Sequence, residues 1–326
     1  MKTTCYNPAN DTFSYTDKAL PSPGPNDVLV KVLACGLNPV DAKINLWHGA
    51  APGMNADWVP GLDVTGEIVE LGSEVSGWSV GDKVLYHGDM FRPNGGFAEF
   101  AIHAAATLIP MPKVAPEIAA ATPCAGWTAW RALVDKLDIE RHNALFVAGG
   151  SGGVGSFALQ IARGFGLEKV ITSCSAINHE FVKSQGATHA IDYRSQDVVS
   201  ELLKITDGAG VPIALDTVGG DNDILCASVL GYEGEMVELV QTVRPELYPD
   251  AFMKGLSFHQ LSLGSGHRNG VKAVADLVRA GTDFSAWLEQ GKLQVEKLTE
   301  ISLSDVGDAL KQIREQRTVG KIVLVN

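Results

Sequence analysis

The amino-acid sequence predicts an α/β protein of two domains, a doubly wound parallel sheet preceded in the chain by a β-rich, partly barrel-like domain. The length of 326 residues exceeds the size at which one hydrophobic core usually splits in two. Strand-length apolar segments, such as 28–33 and 66–71, fill the first third of the chain between Gly and Pro residues. After Pro123 such segments alternate with helical ones, which is the pattern of βαβ units.

The composition excludes several classes of protein. Hydrophobic residues make up 45% of the chain and charged residues 20%, as in ordinary globular proteins. The formal net charge of −12 repels nucleic-acid phosphates and anionic lipid headgroups, so we expect neither as a partner. The five cysteines are widely spaced, which argues against a disulfide framework or a structural zinc. The first residues contain no apolar signal segment, and we expect a cytoplasmic protein without a transmembrane helix.

The predicted domain boundaries follow the change of pattern. Residues 1–122 form the β-rich domain, and residues 123–262 form the domain of alternating strands and helices. In the second domain the expected strands are 145–148, 170–173, 189–191, 212–216, 235–240 and 256–261. Residues 263–326 are too few to fold alone, so we expect them to return to the first domain. Their expected elements are helices near 271–280 and 306–315 and strands near 295–303 and 322–325.

A glycine-rich loop follows the first strand of the second domain. The strand 144–148 runs into Gly150-x-Gly152-x-x-Gly155, after which apolar residues recur at helical spacing. In this context Gly150 allows a tight turn, Gly152 lets the backbone approach a pyrophosphate, and Gly155 lets the helix pack closely on the strand. The pattern predicts a Rossmann dinucleotide site, and a glycine-rich turn without a ligand is the alternative. The predicted contacts are Gly150, Ser151, Gly152, Gly153, Val154 and Gly155.

The end of the second strand of this domain indicates which dinucleotide binds. Residues 173–179 contain no Asp or Glu, the residue that would accept hydrogen bonds from a ribose 2′-hydroxyl. Ser173, Ser175 and Asn178 offer hydrogen-bond donors there, and nothing acidic in this stretch repels a 2′-phosphate. The sequence therefore favours NADP(H) over NAD(H). The alternative is that these residues only end the strand and that the protein does not distinguish the two dinucleotides.

Several motifs along the chain have counterparts in a known family. They lie at residues 35–41, 60–66, 81–84, 95–99, 126–129, 191–194 and 320–324 and in the glycine loop. Together they resemble the medium-chain dehydrogenase/reductase superfamily, and most of all its zinc-free quinone oxidoreductase branch. The resemblance covers nearly the whole chain, and it implies a GroES-like catalytic domain in addition to the Rossmann domain.

The resemblance also bears on metal binding. Zinc-dependent alcohol dehydrogenases of this superfamily hold catalytic zinc with Cys, His and Cys, and the corresponding residues here are Asn38, Leu62 and Cys124. Because two of the three ligands are missing, we expect no metal. A rearranged zinc site is the alternative, with ligands drawn from Cys124, Asp63, His48 and His87.

Without a metal, the resemblance implies hydride transfer from NADPH to a quinone or an α,β-unsaturated carbonyl, whose developing oxyanion is held by hydrogen-bond donors. At the family's positions, Asn38 donates its amide to that oxygen, and Thr128 lies near the nicotinamide unless its hydroxyl caps a helix. His48 or water supplies the proton. Tyr193 approaches the 2′-phosphate, and Lys321 either reaches the pyrophosphate or is a surface lysine.

We expect a homodimer that acts on a small-molecule substrate. Two other functions remain open at this point. One is a zinc-type alcohol dehydrogenase with unconventional ligands, and the other is an NADPH-binding protein without catalytic activity.

Overall fold

The computed structural model describes residues 1–315 and 318–326, and the chain divides into two units. Unit 1 comprises Met1–Trp127 and Leu263–Asn326, and unit 2 comprises Thr128–Ser262. The first division therefore lies after residue 127 rather than after residue 122. The C-terminal residues from 263 onward belong to the same unit as the N-terminal residues.

Strands and helices are numbered here in chain order. The strands are β1 (Lys2–Asn7), β2 (Thr12–Asp17), β3 (Asp27–Leu37), β4 (Asp63–Leu71), β5 (Lys83–His87), β6 (Phe100–Ala104), β7 (Ile109–Pro110), β8 (Ala144–Ala148), β9 (Lys169–Cys174), β10 (His189–Asp192), β11 (Val211–Asp216), β12 (Leu230–Glu238), β13 (Ser257–Gln260), β14 (Leu298–Ile301) and β15 (Lys321–Val325). The α-helices are α1 (Pro39–Ala42), α2 (Ile44–Trp47), α3 (Pro116–Ala120), α4 (Thr128–Trp130), α5 (Gly153–Gly164), α6 (His179–Gln185), α7 (Val198–Ile205), α8 (Asn222–Val229), α9 (Ala251–Lys254), α10 (Gly270–Glu289) and α11 (Val306–Arg314).

Unit 1 is built on a sheet in the order β14-β15-β3-β4-β5-β7, with β6 also paired to β3. The apolar residues of β3 explain its central place, because Val28, Leu29, Val30 and Val32 are all buried, while Lys31 is exposed. These valines pack in one core with Val84 of β5 and with side chains of α11. The C-terminal strand β15 pairs antiparallel with β3, which accounts for the return of the chain to its first domain.

Unit 2 contains a parallel sheet in the order β10-β9-β8-β11-β12-β13. This order confirms the predicted doubly wound Rossmann sheet, in which the strand order reverses between β8 and β11. Ligands of such sheets bind outside the carboxyl ends of the strands at this reversal. The strand β12 begins at Leu230, five residues before the predicted start at 235.

The helix α10 is longer than the sequence predicts. We expected it to end near residue 280, whereas it continues to Glu289. Gly281 follows the predicted end, and a Cβ at this position would lie 2.8 Å from the indole of Trp127. The glycine therefore allows α10 to pack closely against Trp127, and it does not end the helix. In the part of the chain that the structure describes, no helix is both long and apolar enough to cross a membrane.

Candidate active site and dinucleotide-binding loop

Strand pairing brings polar residues from distant parts of the sequence to one edge of the unit 1 sheet. Gly36 near the end of β3 pairs with Asp63 at the start of β4, and Asp63 pairs with His87 at the end of β5. On the other side of β3, Ile322 of β15 pairs with Leu37. Because neighbouring strands are antiparallel, the end of β3 meets the starts of β4 and β15. This edge holds Asn38, Asp63, His87 and Lys321, here called the Asn38 group.

Asp63 is fully buried and accepts hydrogen bonds from three neighbours. Its Oδ1 accepts from the Nδ1 of His87 at 2.8 Å, and its Oδ2 accepts from the amide Nδ2 of Asn38 at 2.8 Å. The backbone N–H of Cys124 donates to both oxygens, at 3.0 and 2.9 Å. A buried carboxylate needs such donors in place of the water it has lost. The protein thus satisfies the Asp63 charge with its own N–H groups.

Lys321 supplies the positive charge of the group. Its ammonium donates to the Oδ1 of Asn38 at 2.5 Å and to the carbonyl of Leu37 at 3.3 Å. An ammonium can only donate and a carboxylate can only accept, so the amide of Asn38 has one possible orientation between Lys321 and Asp63. Asn38, which is 1% exposed, therefore joins a buried cation to a buried anion.

Two sequence-based expectations need correction here. We expected the amide of Asn38 to donate to a substrate oxygen, but its Nδ2 already donates to Asp63 and, at 3.4 Å, to the carbonyl of Gly36. We expected Lys321 to reach a pyrophosphate or to lie at the surface, but it is 7% exposed and bonded to Asn38. Strand position alone did not show where the ammonium points, because that depends on the pairing of β15 with β3.

Two further ionisable side chains next to the Asn38 group are held in their uncharged forms. Asp41 accepts the backbone N–H of Asn38 at 3.0 Å, and burial, with the nearby charge of Asp63, raises its pKa to about 8. Burial also raises the pKa of the Cys124 thiol well above its usual value, and the charge of Asp63 adds to this effect. Asp41 and Cys124 therefore add no charge to this edge at neutral pH.

The rearranged metal site can be tested on the donor atoms. Ligand atoms of Asp63, His87 and Cys124 all lie within 4.8 Å of one another, whereas His48 lies outside this cluster. The carboxylate, however, is already occupied by N–H donors, and the cation Lys321 contacts the residue at the first zinc-ligand position. Zinc would have to displace these donors and share the edge with an ammonium, so the arrangement does not fit a zinc ion.

The other two predicted catalytic residues are His48 in unit 1 and Thr128 in unit 2. The Nδ1 of His48 donates to the carbonyl of Asn45 at 2.9 Å, and its ring lies 6.4 Å from that of Tyr6. Across residues 1–315 and 318–326, no hydrogen bond joins His48 to Asn38 or Lys321. Thr128, which is 8% exposed, belongs to unit 2 and follows directly on helical residues, so it does not cap a helix.

In unit 2 the glycine loop has the geometry of a phosphate cradle. A Cβ on Gly150 would lie 2.2 Å from the hydroxyl of Thr172, and one on Gly155 would lie 2.3 Å from the carbonyl of Gly149. These two glycines are required by the fold itself. A Cβ on Gly152 would meet only the Gly149 carbonyl, at 3.4 Å. The room above Gly152 at the N-terminus of α5 therefore fits an incoming pyrophosphate.

The predicted 2′-phosphate residues lie close to this loop. Asn178 donates from Nδ2 to the hydroxyls of Ser151 at 3.4 Å and Ser175 at 3.2 Å, which links the glycine loop to the end of β9. Ser173 and Ser175 are 5% and 9% exposed. Tyr193 is 55% exposed, and the guanidinium of Arg194 lies 5.8 Å from its ring.

The sequence analysis missed one carboxylate at this place. Asp192, at the end of β10, pairs across the sheet with Cys174 at the end of β9. It accepts hydrogen bonds from the hydroxyl of Ser195 at 2.8 Å and the backbone N–H of Arg194 at 3.1 Å, which lower its pKa. Asp192 lies on the third strand of the sheet, and its register with the end of the second strand is the feature that brings it to this place.

Loss of the buried cation tests the account of the Asn38 group. We expect Lys321→Met to lower the free energy of unfolding by about 3 kcal/mol, because it leaves Asn38 and Asp63 without their positive neighbour. Urea titration followed by circular dichroism measures this change. The matched control is Lys31→Met on β3, whose exposed side chain should change stability by less than about 0.5 kcal/mol. Equal effects of the two substitutions would contradict the account.

Known proteins resemble this chain along most of its length. The family model for the alcohol dehydrogenase GroES-like domain matches residues 24–113, and the one for zinc-binding dehydrogenase matches residues 185–324. A quinone oxidoreductase of Sus scrofa is 30% identical over 276 residues, which cover 84% of this chain and 82% of that protein. Trans-enoyl reductase pgmF of Aspergillus terreus is 31% identical over 315 residues, with coverages of 92% and 86%.

A solved structure shows the same fold. The quinone oxidoreductase of Pseudomonas syringae pv. Tomato DC3000 superposes with a TM-score of 0.87 at 27% identity, over 100% of this chain and 99% of that one. The similarity thus includes both the GroES-like segment and the Rossmann sheet described above. The chain therefore belongs to the medium-chain dehydrogenase/reductase superfamily, in its quinone oxidoreductase branch, and is an oxidoreductase of that type.

Proposed function

We propose that this protein is an NADPH-dependent, metal-free oxidoreductase that reduces a quinone or an α,β-unsaturated carbonyl. The observation that carries the metal-free part is the Asn38 group, in which protein donors saturate Asp63 and Lys321 supplies the positive charge. A centre that is complete without a divalent ion lacks the Lewis acid on which alcohol oxidation in this superfamily depends. Reduction of a conjugated carbonyl needs only donors for the oxygen that becomes negative.

The residues of unit 1 have definable roles in that reaction. When bound, NADPH supplies a hydride for the electrophilic carbon of the substrate. A lysine ammonium has three hydrogens, and two of those of Lys321 go to Asn38 and Leu37. We assign the third to the substrate oxygen, in place of the Asn38 amide. Asn38 then fixes the position of the ammonium, and water supplies the proton, since His48 is bonded elsewhere.

The glycine loop and its neighbours support NADPH as the cofactor. The N-terminus of α5 and the open space above Gly152 suit the pyrophosphate. Arg194, Tyr193 and the hydroxyl of Ser175 lie where a 2′-phosphate would need a cation and donors. The carboxylate of Asp192, at the end of β10, already accepts hydrogen bonds from Ser195 and the backbone of Arg194. This balance favours the phosphate-bearing dinucleotide.

Steady-state assay tests the reaction. We expect quinones or enones to accelerate NADPH oxidation above the rate without enzyme, with NADH less effective at equal salt, because only NADPH offers a 2′-phosphate to Arg194. Metal analysis of the dialysed protein accompanies the assay. Absence of acceleration with both substrate panels would contradict the proposal. Stoichiometric zinc, lost together with activity on chelation, would instead favour the zinc-type alcohol dehydrogenase.

A substitution in the glycine loop tests cofactor binding separately from folding. We expect Gly152→Val to raise the Kd for NADPH at least tenfold while the thermal midpoint stays near that of the wild type, because the added side chain fills space that the protein leaves open. Calorimetry measures the binding. Gly155→Val is the contrasting variant and should lower the thermal midpoint, since its side chain meets the Gly149 carbonyl. Undiminished affinity in Gly152→Val would place the cofactor elsewhere.

We also propose that the protein is a cytoplasmic homodimer. All five cysteines are free thiols, which suits a reducing compartment. The strand β13 ends the unit 2 sheet with an unpaired edge, and Phe252 and Met253 of α9, which precedes it in the chain, are 95% and 78% exposed. Light scattering should therefore give twice the chain mass of 34.6 kDa. A mass of one chain at micromolar concentration would contradict the dimer.

A further inference from the structure

Two buried carboxyl groups face each other at the carboxyl end of the unit 2 sheet. Asp216 ends β11, Glu238 ends β12, and the two residues are direct partners in the parallel pairing of these strands. Residues in register on adjacent strands point to the same face of a sheet. The two residues are 0% and 1% exposed. Their carboxyl groups therefore lie next to each other without access to water.

Each carboxyl group uses one oxygen to hold a loop. The Oδ1 of Asp216 accepts the backbone N–H groups of Val218 at 2.8 Å and Gly219 at 3.0 Å. The Oε1 of Glu238 accepts those of Val240 at 2.6 Å and Gln241 at 2.9 Å. The other two oxygens, Oδ2 and Oε2, are buried and meet no N–H or hydroxyl donor within residues 1–315 and 318–326. Two buried oxygens without donors, on carboxyl groups of directly paired residues, disfavour full charge on both groups.

The loops held in this way form a rim next to the glycine loop. A Cβ on Gly149 would lie 2.5 Å from Val218, and one on Gly219 would lie 2.7 Å from Val240. The side chain of Gln241 donates to the carbonyl of Gly220 at 2.7 Å and accepts its N–H at 3.2 Å. The rim therefore runs without a break from the glycine loop through residues 217–220 to residues 240–241. This is the side of a doubly wound sheet on which dinucleotides bind.

We propose that Asp216 and Glu238 share one proton, and that this proton makes them positioning residues for the dinucleotide by holding the two loops in register. The proposal rests on the proposed cofactor. With the proton in place, one carboxyl donates to the other and the loops stay together. When the proton is lost, two buried anions repel each other, the loops separate, and affinity for the dinucleotide falls.

Burial raises the pKa of Glu238 to about 8, and the contact with Asp216 adds to this effect.

The ionisable groups around Glu238 keep constant charge between pH 7 and 9. From α8, burial keeps the pKa of the Cys226 thiol well above its usual value. Burial alone would raise the pKa of Asp223, but hydrogen bonds from Arg244 and Tyr248 lower it. Burial raises the pKa of Tyr248, and the hydrogen bonds that Arg244 donates to Asp223 raise the pKa of Arg244, so neither group titrates between pH 7 and 9. On β13, the residue opposite Glu238 is the neutral Gln260.

The test compares the wild type with Glu238→Gln, whose amide donates permanently to Asp216 while its oxygen still holds Val240 and Gln241. Calorimetry gives the Kd for NADPH from pH 7 to 9. We expect the wild-type Kd to rise about tenfold over this range and that of Glu238→Gln to stay nearly constant. The matched control is Glu235→Gln on the same strand. Glu235 pairs with His259 at 3.1 Å. The Kd of this control should change with pH as that of the wild type does. Equal pH dependence in the wild type and Glu238→Gln would overturn the proposal.

A second measurement on the protein without cofactor separates this inference from the proposed function. The pKa of Glu238 is raised in the folded state, so its contribution to stability is complete below about pH 4.5 and is lost as the pH rises through about 8. The thermal midpoint of the wild type should therefore fall more between pH 5 and 8.5 than that of Glu238→Gln. A parallel fall would overturn the shared proton. If the wild type binds no NADPH at pH 7, the proposed cofactor fails, and this stability comparison still decides whether the proton is shared.

Discussion

The arrangement of unit 1 depends on the buried carboxylate of Asp63. A buried anion is tolerated only where donors or a cation replace its hydration. Here the donors come from the end of β5, from the residue after β3 and from the backbone of Cys124. Because these segments are far apart in the sequence, one carboxylate fixes their mutual positions. Close packing at this edge also requires a glycine at position 36, because a Cβ there would lie 2.3 Å from the carbonyl of Ala120.

Asn38 suits its place between two charges because an amide has two different ends. Its oxygen accepts from Lys321, and its nitrogen donates to Asp63. A thiolate at this position, as in the zinc-dependent members of the superfamily, would repel Asp63 unless a cation were bound. In the metal-free enzyme that we propose, the amide at the position of a zinc ligand and the contact with Lys321 are therefore parts of one chemical change, in which a protein cation takes the place of a metal ion.

The sequence was sufficient to predict the fold class, because periodicity, turn residues and the glycine loop are local features. The six strands of unit 2 were found in this way, although β12 begins earlier than expected. The sequence could not predict the contacts of the Asn38 group, because they depend on the antiparallel register of four strands. The glycine pattern predicted a dinucleotide loop and gave each glycine its own role, with Gly152 facing the pyrophosphate. The open space around Gly152, set against the crowded positions of Gly150 and Gly155, agrees with these roles.

The two units bury carboxyl groups at strand ends in different ways. In unit 1, N–H donors satisfy Asp63 directly, and the ammonium of Lys321 is linked to it through the amide of Asn38. In unit 2, no described residue donates to the inner oxygens of Asp216 and Glu238, and in our proposal the two carboxyl groups depend on a proton. A backbone donor or a lysine cannot be removed by a change of pH near neutrality, whereas a proton shared by two buried carboxyls can. Of these two carboxylate sites, the one beneath the cofactor loops is therefore the one built to respond to the acidity of the solution.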